Sequence, residues 1–261
     1  MASTARVQQI MGIPGLSVLA RESTHTVSLT QACAIMANLR GHNRPATSAQ
    51  PILIALDMSV LLHAVFSRLE NAFALVLAGD LFPCGVAETL TRVFKTLRSA
   101  GLEPVAYFDG DAAPLKAPTD QARHDARKAA REKRESGDLS LHGLSTCVRN
   151  EVSVSSATRL SCVQLCHHQH VTVKQAIHEA DAQMSYDFSA GRIDAVMSVD
   201  SDYMVYDCTM VLLPAGKGVL EWTRTGSVHV LLAVSARKLE PRVHIRPHLT
   251  GVCVPVVAVS L

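Results

Sequence analysis

Three short apolar runs, each closed by an aspartate, constrain this chain more than any other feature. ILIAL (52–56) runs into Asp57, PVAYF (104–108) into Asp109, and AVMSV (195–199) into Asp200. Each run has the length of a buried strand and is rich in β-branched or aromatic residues. Between them, residues 60–70, 86–97 and 181–190 carry apolar side chains at helical spacing. Strands alternating with helices predict a mostly parallel α/β sheet, in which ligands sit beyond the carboxyl ends of the strands. All three aspartates fall at that edge. One such Asp would only cap a helix or open a turn, but three predict a common site.

Composition narrows the classes. Hydrophobic residues make up 48% of the 261, which excludes disorder over most of the chain. A formal net charge of +2 excludes a uniformly basic coat, so any positive patch is local. No apolar run approaches the roughly 18 residues of a transmembrane helix, so no membrane partner is expected. The first ten residues, MASTARVQQI, have no apolar core of a secretory leader. Seven scattered cysteines fit free thiols in a reducing compartment better than a disulfide framework. In CVQLCHHQH (162–170) a structural zinc competes with a helix that buries its thiols, and the lack of a second ligand cluster favours the helix. AGKG (215–218) lacks the upstream glycine of a phosphate loop and reads as a turn.

The local basic patch lies in residues 116–134, where Lys116, Arg123, Arg127, Lys128, Arg131, Lys133 and Arg134 outnumber Asp120, Asp125 and Glu132. Arg123, Arg127 and Arg131 are four apart, which on a helix makes one basic stripe. The polar stretch 22–50 is expected to be a surface insertion, and the Ser- and His-rich stretch 135–170 has no clear assignment. Acids form the complementary set: Asp57, Asp109, the pair Glu179/Asp181 in HEADAQ, and the pair Asp200/Asp202 in SVDSD. Acids two apart point the same way only on extended chain, so Glu179 and Asp181 converge only at a helix start. Crowded carboxylates repel one another and call for a polyvalent cation. An oxygen-only donor set favours Mg²⁺ or Mn²⁺ over zinc. Separate helix caps and solvated acids remain the alternative.

Together these motifs resemble the flap-endonuclease/XPG family of structure-specific 5′ nucleases, nearest its exonuclease 1 branch. MGIPGL (11–16) is similar to the family's amino-terminal MGI-x-GL, IALDMSVLLH (54–63) to its first Asp motif, and VAYFDGDAAPLK (105–116) to its FDG-x-P-x-K motif. HEADAQ (178–183) with AVMSVDSDYMVYDC (195–208) resembles its EADAQ and DSD region. The resemblance runs from Met11 to about Trp222. It implies a PIN/5′-nuclease-like three-layer α/β fold with a central, mostly parallel sheet and a basic helical arch.

It also implies roles. Asp57, Asp109, Glu179, Asp181, Asp200 and Asp202 match the metal-site carboxylates, which hold two Mg²⁺ or Mn²⁺ ions. Lys116 and Arg123 match the catalytic basic pair that reaches the scissile phosphate. Gly12, His63, Arg127, Arg131 and Arg134 are expected to contact nucleic acid, and Tyr186 to offer a stacking face. The expected activity is 5′–3′ exonuclease or flap endonuclease cleavage of DNA in repair or replication, with nuclear localisation. RNA, an organelle and a protein partner stay open. The implied division is 1–10 extension, 11–135 amino-terminal nuclease region with arch, 136–240 internal nuclease region, and 241–261 truncated or divergent tail. Three departures stand out. LTGVCVPVVAVSL (249–261) has no acid where the family has a seventh carboxylate, ten residues precede Met11, and Val199 replaces an acid before the DSD triplet. They leave a rival: a catalytically weakened nuclease-like domain that binds nucleic acid or a protein.

Overall fold

A computed structural model describes residues 25–43, 51–111, 117–199, 203, 206, 208–212, 223 and 227–231. In chain order the elements are β1 (His25–Ser28), α1 (Leu29–Asn43), β2 (Ile52–Asp57), α2 (Met58–Phe66), α3 (Leu69–Leu77), α4 (Cys84–Ser99), β3 (Leu102–Phe108) and α5 (Ala117–Glu135). There follow α6 (Leu141–Glu151), α7 (Ser156–His168), β4 (Thr172–Gln175), α8 (Ala180–Ser189), β5 (Ala195–Ser198), β6 (Met210–Leu212) and β7 (Ser227–Leu231).

The strands form one seven-stranded sheet in the order β1-β7-β6-β5-β2-β3-β4. From β6 to β4 every pairing is parallel, while β7 runs antiparallel to both β6 and β1. The three aspartate-ended runs are therefore three adjacent central strands, β5, β2 and β3. Their near-continuous apolar sequence follows from burial on both faces. Ile52, Ile54 and Leu56 of β2, with Ala106 and Phe108 of β3, point into a large core shared with α1, α2, α4 and α7. Ala55, Val105, Tyr107 and Val196 point the other way, into a smaller core with Ala180 and Met184 of α8. The period of two along each strand thus assigns every second side chain to the α8 face. On the opposite face, α4 buries Val86, Leu90, Val93, Phe94 and Leu97 completely. Each such side chain contributes about 1.5–3 kcal/mol by leaving water.

Three expectations change. Within the polar stretch 22–50, residues 25–43 are part of the fold: β1 pairs with β7, and α1 buries Leu29, Ala32 and Met36. A narrow stripe of three was hidden by the polar residues around it. The apolar stretch 60–70 is two helices bent by 86°, because Arg68 is extended between them. The buried Asn71 amide donates to the Val65 carbonyl (2.9 Å) at that break, reinforcing the longer bond that carbonyl accepts from Arg68 N (3.3 Å). The unassigned stretch 135–170 holds α6, α7 and the start of β4's approach. Two of its serines are helix caps: Ser140 Oγ accepts from Gly143 N (3.2 Å) and Ser155 Oγ from Thr158 N (3.1 Å). Cys162 and Cys166 are buried in α7, and burial pushes each thiol up to about 12. They stay protonated packing groups, as the helix alternative requires.

Candidate active site

The carboxyl ends of β2 and β3 bring two acids to the α8 face. Asp57 closes β2, lying opposite Tyr107 in the parallel register, and also caps α2, its Oδ1 accepting from Val60 N (3.1 Å). Its Oδ2 accepts from Ser198 Oγ (3.3 Å), at the end of β5. Asp109 follows β3 directly. Its Oδ1 accepts from the backbone N–H of Ala180, the first residue of α8 (2.9 Å), and its Oδ2 accepts from Ser59 Oγ in the first turn of α2. The hydroxyl of Ser59 thereby ties the Asp57 turn to the Asp109 carboxylate.

The second acidic pair flanks Ala180, the residue whose N–H meets Asp109. Glu179 is extended (φ −99°, ψ 137°) and its carboxylate does not cap its own helix, while α8 begins at Ala180. Glu179 and Asp181 therefore sit at the one point of the helix where acids two apart can converge. Asp181 Oδ1 accepts from Ala182 N (2.7 Å). Asp109, Glu179 and Asp181 all lie at the amino end of α8, where the helix dipole favours negative charge. Each carboxylate oxygen has a second lone pair, so Asp109 keeps acceptor capacity beyond the bonds described. An all-oxygen donor set of this kind fits Mg²⁺ or Mn²⁺. Among the described residues no three acids gather closely enough to hold an ion, and Asp200 and Asp202 lie outside those residues.

The turn after β3 is held by contacts that need glycine. Gly110 N donates to His178 O (2.6 Å) and Asp111 N to Ile177 O (3.1 Å), laying the turn against the strand-to-helix connection before Glu179. A Cβ on Gly110 would meet Ala176 O at 2.1 Å and Ile177 O at 2.4 Å. Arg159 of α7 donates to the Asp109 carbonyl (2.8 Å) from the other side.

Basic groups lie near α2. Arg123 and Arg127 of α5 lie near enough to His63 of α2 that, with partial burial as the larger cause, they hold its imidazole below the usual histidine value. His63 Nδ1 is 3.5 Å from Ser67 Oγ. The α5 stripe divides along its length. Arg123 carries a loose pair to Asp120 (3.7 Å), Arg131 pairs with Glu135 (3.0 Å), and Arg134 forks onto Glu151 of α6 at 2.7 and 3.1 Å. The Arg134 side chain is 18% exposed and Glu151 8%. Arg134 is thus an anchor between helices, its Nε and Nη2 donating to Glu151. Tyr186 is exposed with Arg192 over its ring (5.1 Å), and it sits on α8 beyond the acids. Val199 packs against the large core, on the face away from α8. Gly12, Lys116 and the tail 249–261 lie outside the described residues.

Ser59, Ser198, Arg159 and Asp187 (below) are the site-supporting residues that motif reasoning missed. Ser198 shares the α8 face with Val196 by strand parity, which is the one signal that could have found it.

The central parallel sheet, with acids following the carboxyl ends of its strands, has the 5′-nuclease fold. Human GEN1 in complex with Holliday junction DNA shares it with a TM-score of 0.51, at 15% identity, over 87% of this chain and 46% of that one. The model of the XPG I-region matches residues 170–218, from the end of α7 past β6. Exonuclease 1 of Arabidopsis thaliana is 27% identical over 123 residues, 46% of this chain and 17% of that protein. Exodeoxyribonuclease 1 of Saccharomyces cerevisiae (strain ATCC 204508 / S288c) is 30% identical over 129 residues, again 46% and 17%. The match spans less than a fifth of the length of these curated relatives. The chain is thus similar to the XPG I-region over residues 170–218 and to exonuclease 1 proteins over 46% of its length.

Proposed function

We propose that the chain is a metal-dependent nuclease that hydrolyses DNA phosphodiester bonds at 5′ ends or flaps. What supports this is that Asp57 and Asp109 end adjacent strands, Glu179 and Asp181 flank the residue that Asp109 binds, and Arg123 and Arg127 lie near His63 of the helix that Asp57 caps. Names of the relatives, exonuclease 1 and exodeoxyribonuclease 1, support DNA as the substrate. Asp57, Asp109, Glu179 and Asp181, joined by Asp200 and Asp202, would hold two Mg²⁺ or Mn²⁺ ions. Such ions supply a water nucleophile at neutral pH and a stabilised leaving oxygen.

The chain's own side chains do the rest. Arg123, with Lys116, offsets charge on the phosphate, and Arg127 extends that grip along the strand. His63 is neutral at pH 7, since its value lies below the usual one, and presents a ring on which a base can stack. Ser59 and the Ala180 N–H orient the Asp109 carboxylate.

The test is cleavage of 5′-flap and recessed-end duplexes with Mg²⁺, alongside calorimetric titration with Mn²⁺. Asp109→Asn should abolish cleavage and weaken Mn²⁺ binding. Arg123→Ala should lower kcat with Mn²⁺ binding kept. Absence of Mn²⁺ binding in the millimolar range, with DNA still bound, would overturn the proposal and favour a non-catalytic nucleic-acid-binding domain.

A further inference from the structure

Asp187 is a charged residue in the wrong kind of place. It lies on α8, 1% exposed, within the small core beneath the sheet. Its Oδ2 accepts from Tyr107 Oη (2.7 Å) and Lys174 Nζ (2.7 Å), and its Oδ1 from Arg192 Nη1 (3.0 Å) and Gln183 Nε2 (3.2 Å). Lys174 also stands 5.3 Å over the Tyr107 ring. Burying a carboxylate is costly even when paired, and an apolar residue would fill the same space at no such cost. Burial pushes Asp187 up, but the bonds from Lys174, Tyr107 and Arg192 outweigh it and hold the carboxyl ionised. What the network adds is fixed distance, which apolar packing lacks.

The bonds connect the same two elements twice. Asp109 Oδ1 meets Ala180 N, and Tyr107 Oη meets Asp187 Oδ2. Tyr107 and Asp109 are two apart, hence on one face of β3. Ala180 and Asp187 are seven apart, hence on one face of α8, about 10 Å apart along its axis. One bond would leave the helix free to tilt or roll about it, whereas two on a common face stop both. Glu179 and Asp181 flank Ala180, so their placement relative to Asp109 depends on that constraint.

We propose that Asp187, through Tyr107, is a positioning residue that locks α8 to β3 and so sets the spacing of Asp109 against Glu179 and Asp181. This rests on the assignment of those acids as a divalent-cation site. Two variants of the full chain test it: Tyr107→Phe, which removes only the hydroxyl, and Tyr107→Phe/Asp187→Leu, which replaces the polar contact with apolar packing. Each is measured by denaturant unfolding, by calorimetry with Mn²⁺, and by the kcat and KM of cleavage across Mn²⁺ concentrations. Both variants should unfold cooperatively, bind Mn²⁺ about tenfold more weakly, and need correspondingly more Mn²⁺ for half-maximal kcat at unchanged KM for DNA. Cooperative unfolding with wild-type Mn²⁺ affinity in either variant would reduce the network to packing and overturn the proposal. Should the double variant fail to fold, the single one decides. If the wild-type chain binds no Mn²⁺, the cation site itself falls, and this inference with it.

Discussion

Replacing Gly110 by alanine perturbs the candidate site without touching any charged group. The added Cβ would lie 2.1 Å from Ala176 O, 2.4 Å from Ile177 O and 2.7 Å from the Ile177 carbonyl carbon, all of them backbone atoms. Even a close carbon–oxygen contact needs about 3.3 Å, so the two segments must separate by about 1 Å. No side-chain rotation can absorb that, because each obstructing atom belongs to the main chain. Separation breaks Gly110 N–His178 O (2.6 Å) and strains Asp111 N–Ile177 O (3.1 Å). Two weakened hydrogen bonds at about 1 kcal/mol each, with overpacking of about 1–3 kcal/mol, total about 3–5 kcal/mol. The same shift carries Asp109 away from Ala180 and Glu179. Gly110→Ala should therefore lower the urea midpoint with an unchanged slope, and weaken Mn²⁺ binding in parallel. A variant with the wild-type midpoint and wild-type Mn²⁺ affinity would show that the turn does not lie against residues 176–178.

Three further outcomes are expected. Followed by NMR, His63 should titrate below about 6.5, and Arg123→Gln/Arg127→Gln should move it upward. Because its folded value is depressed, its contribution to stability is complete above the unfolded value and is lost as pH falls through the folded one; an unmoved titration would take α5 away from α2. Arg134→Ala should cost about 1–3 kcal/mol of stability in denaturant unfolding, since it leaves the mostly buried Glu151 without its partner; a loss of DNA affinity without a loss of stability would reverse that assignment. His170 stands in the left-handed region (φ 55°) after α7, in a turn where His170 N and Val171 N bond back to His167 O and Cys166 O. His170→Gly should raise stability by about 0.5–1 kcal/mol in thermal unfolding, and a fall would mean the side chain contributes more than its backbone costs.

The central strands were legible because burial on both faces writes itself as unbroken apolar runs, and an Asp at each end marks the edge. The Glu179/Asp181 pair was legible for a geometric reason, since only a helix start lets both converge. What stayed hidden depends on neighbours distant in sequence. Met36 enters the core from a helix whose overall polarity masks its stripe. Ser59 and Ser198 matter only because β3 and β2 lie beside them. Arg134 reads as one more cation of a basic stripe until α6 folds back and offers Glu151. Asp187 reads as an exposed helix acid, since nothing local announces a buried partner 80 positions earlier.

The anchoring of α5 at one end makes it a lever. Ala130 is the one buried residue among those described in this 19-residue helix, and Arg134 bolts its last turn to Glu151. Arg123 stands eleven residues from that bolt, about 16 Å along the axis, so a tilt of about 10° would sweep it through about 3 Å. The same tilt barely moves Arg131. Cations on one helix thus differ in reach by their distance from the pivot: those near Arg134 hold station, and those toward its amino end have the wider sweep.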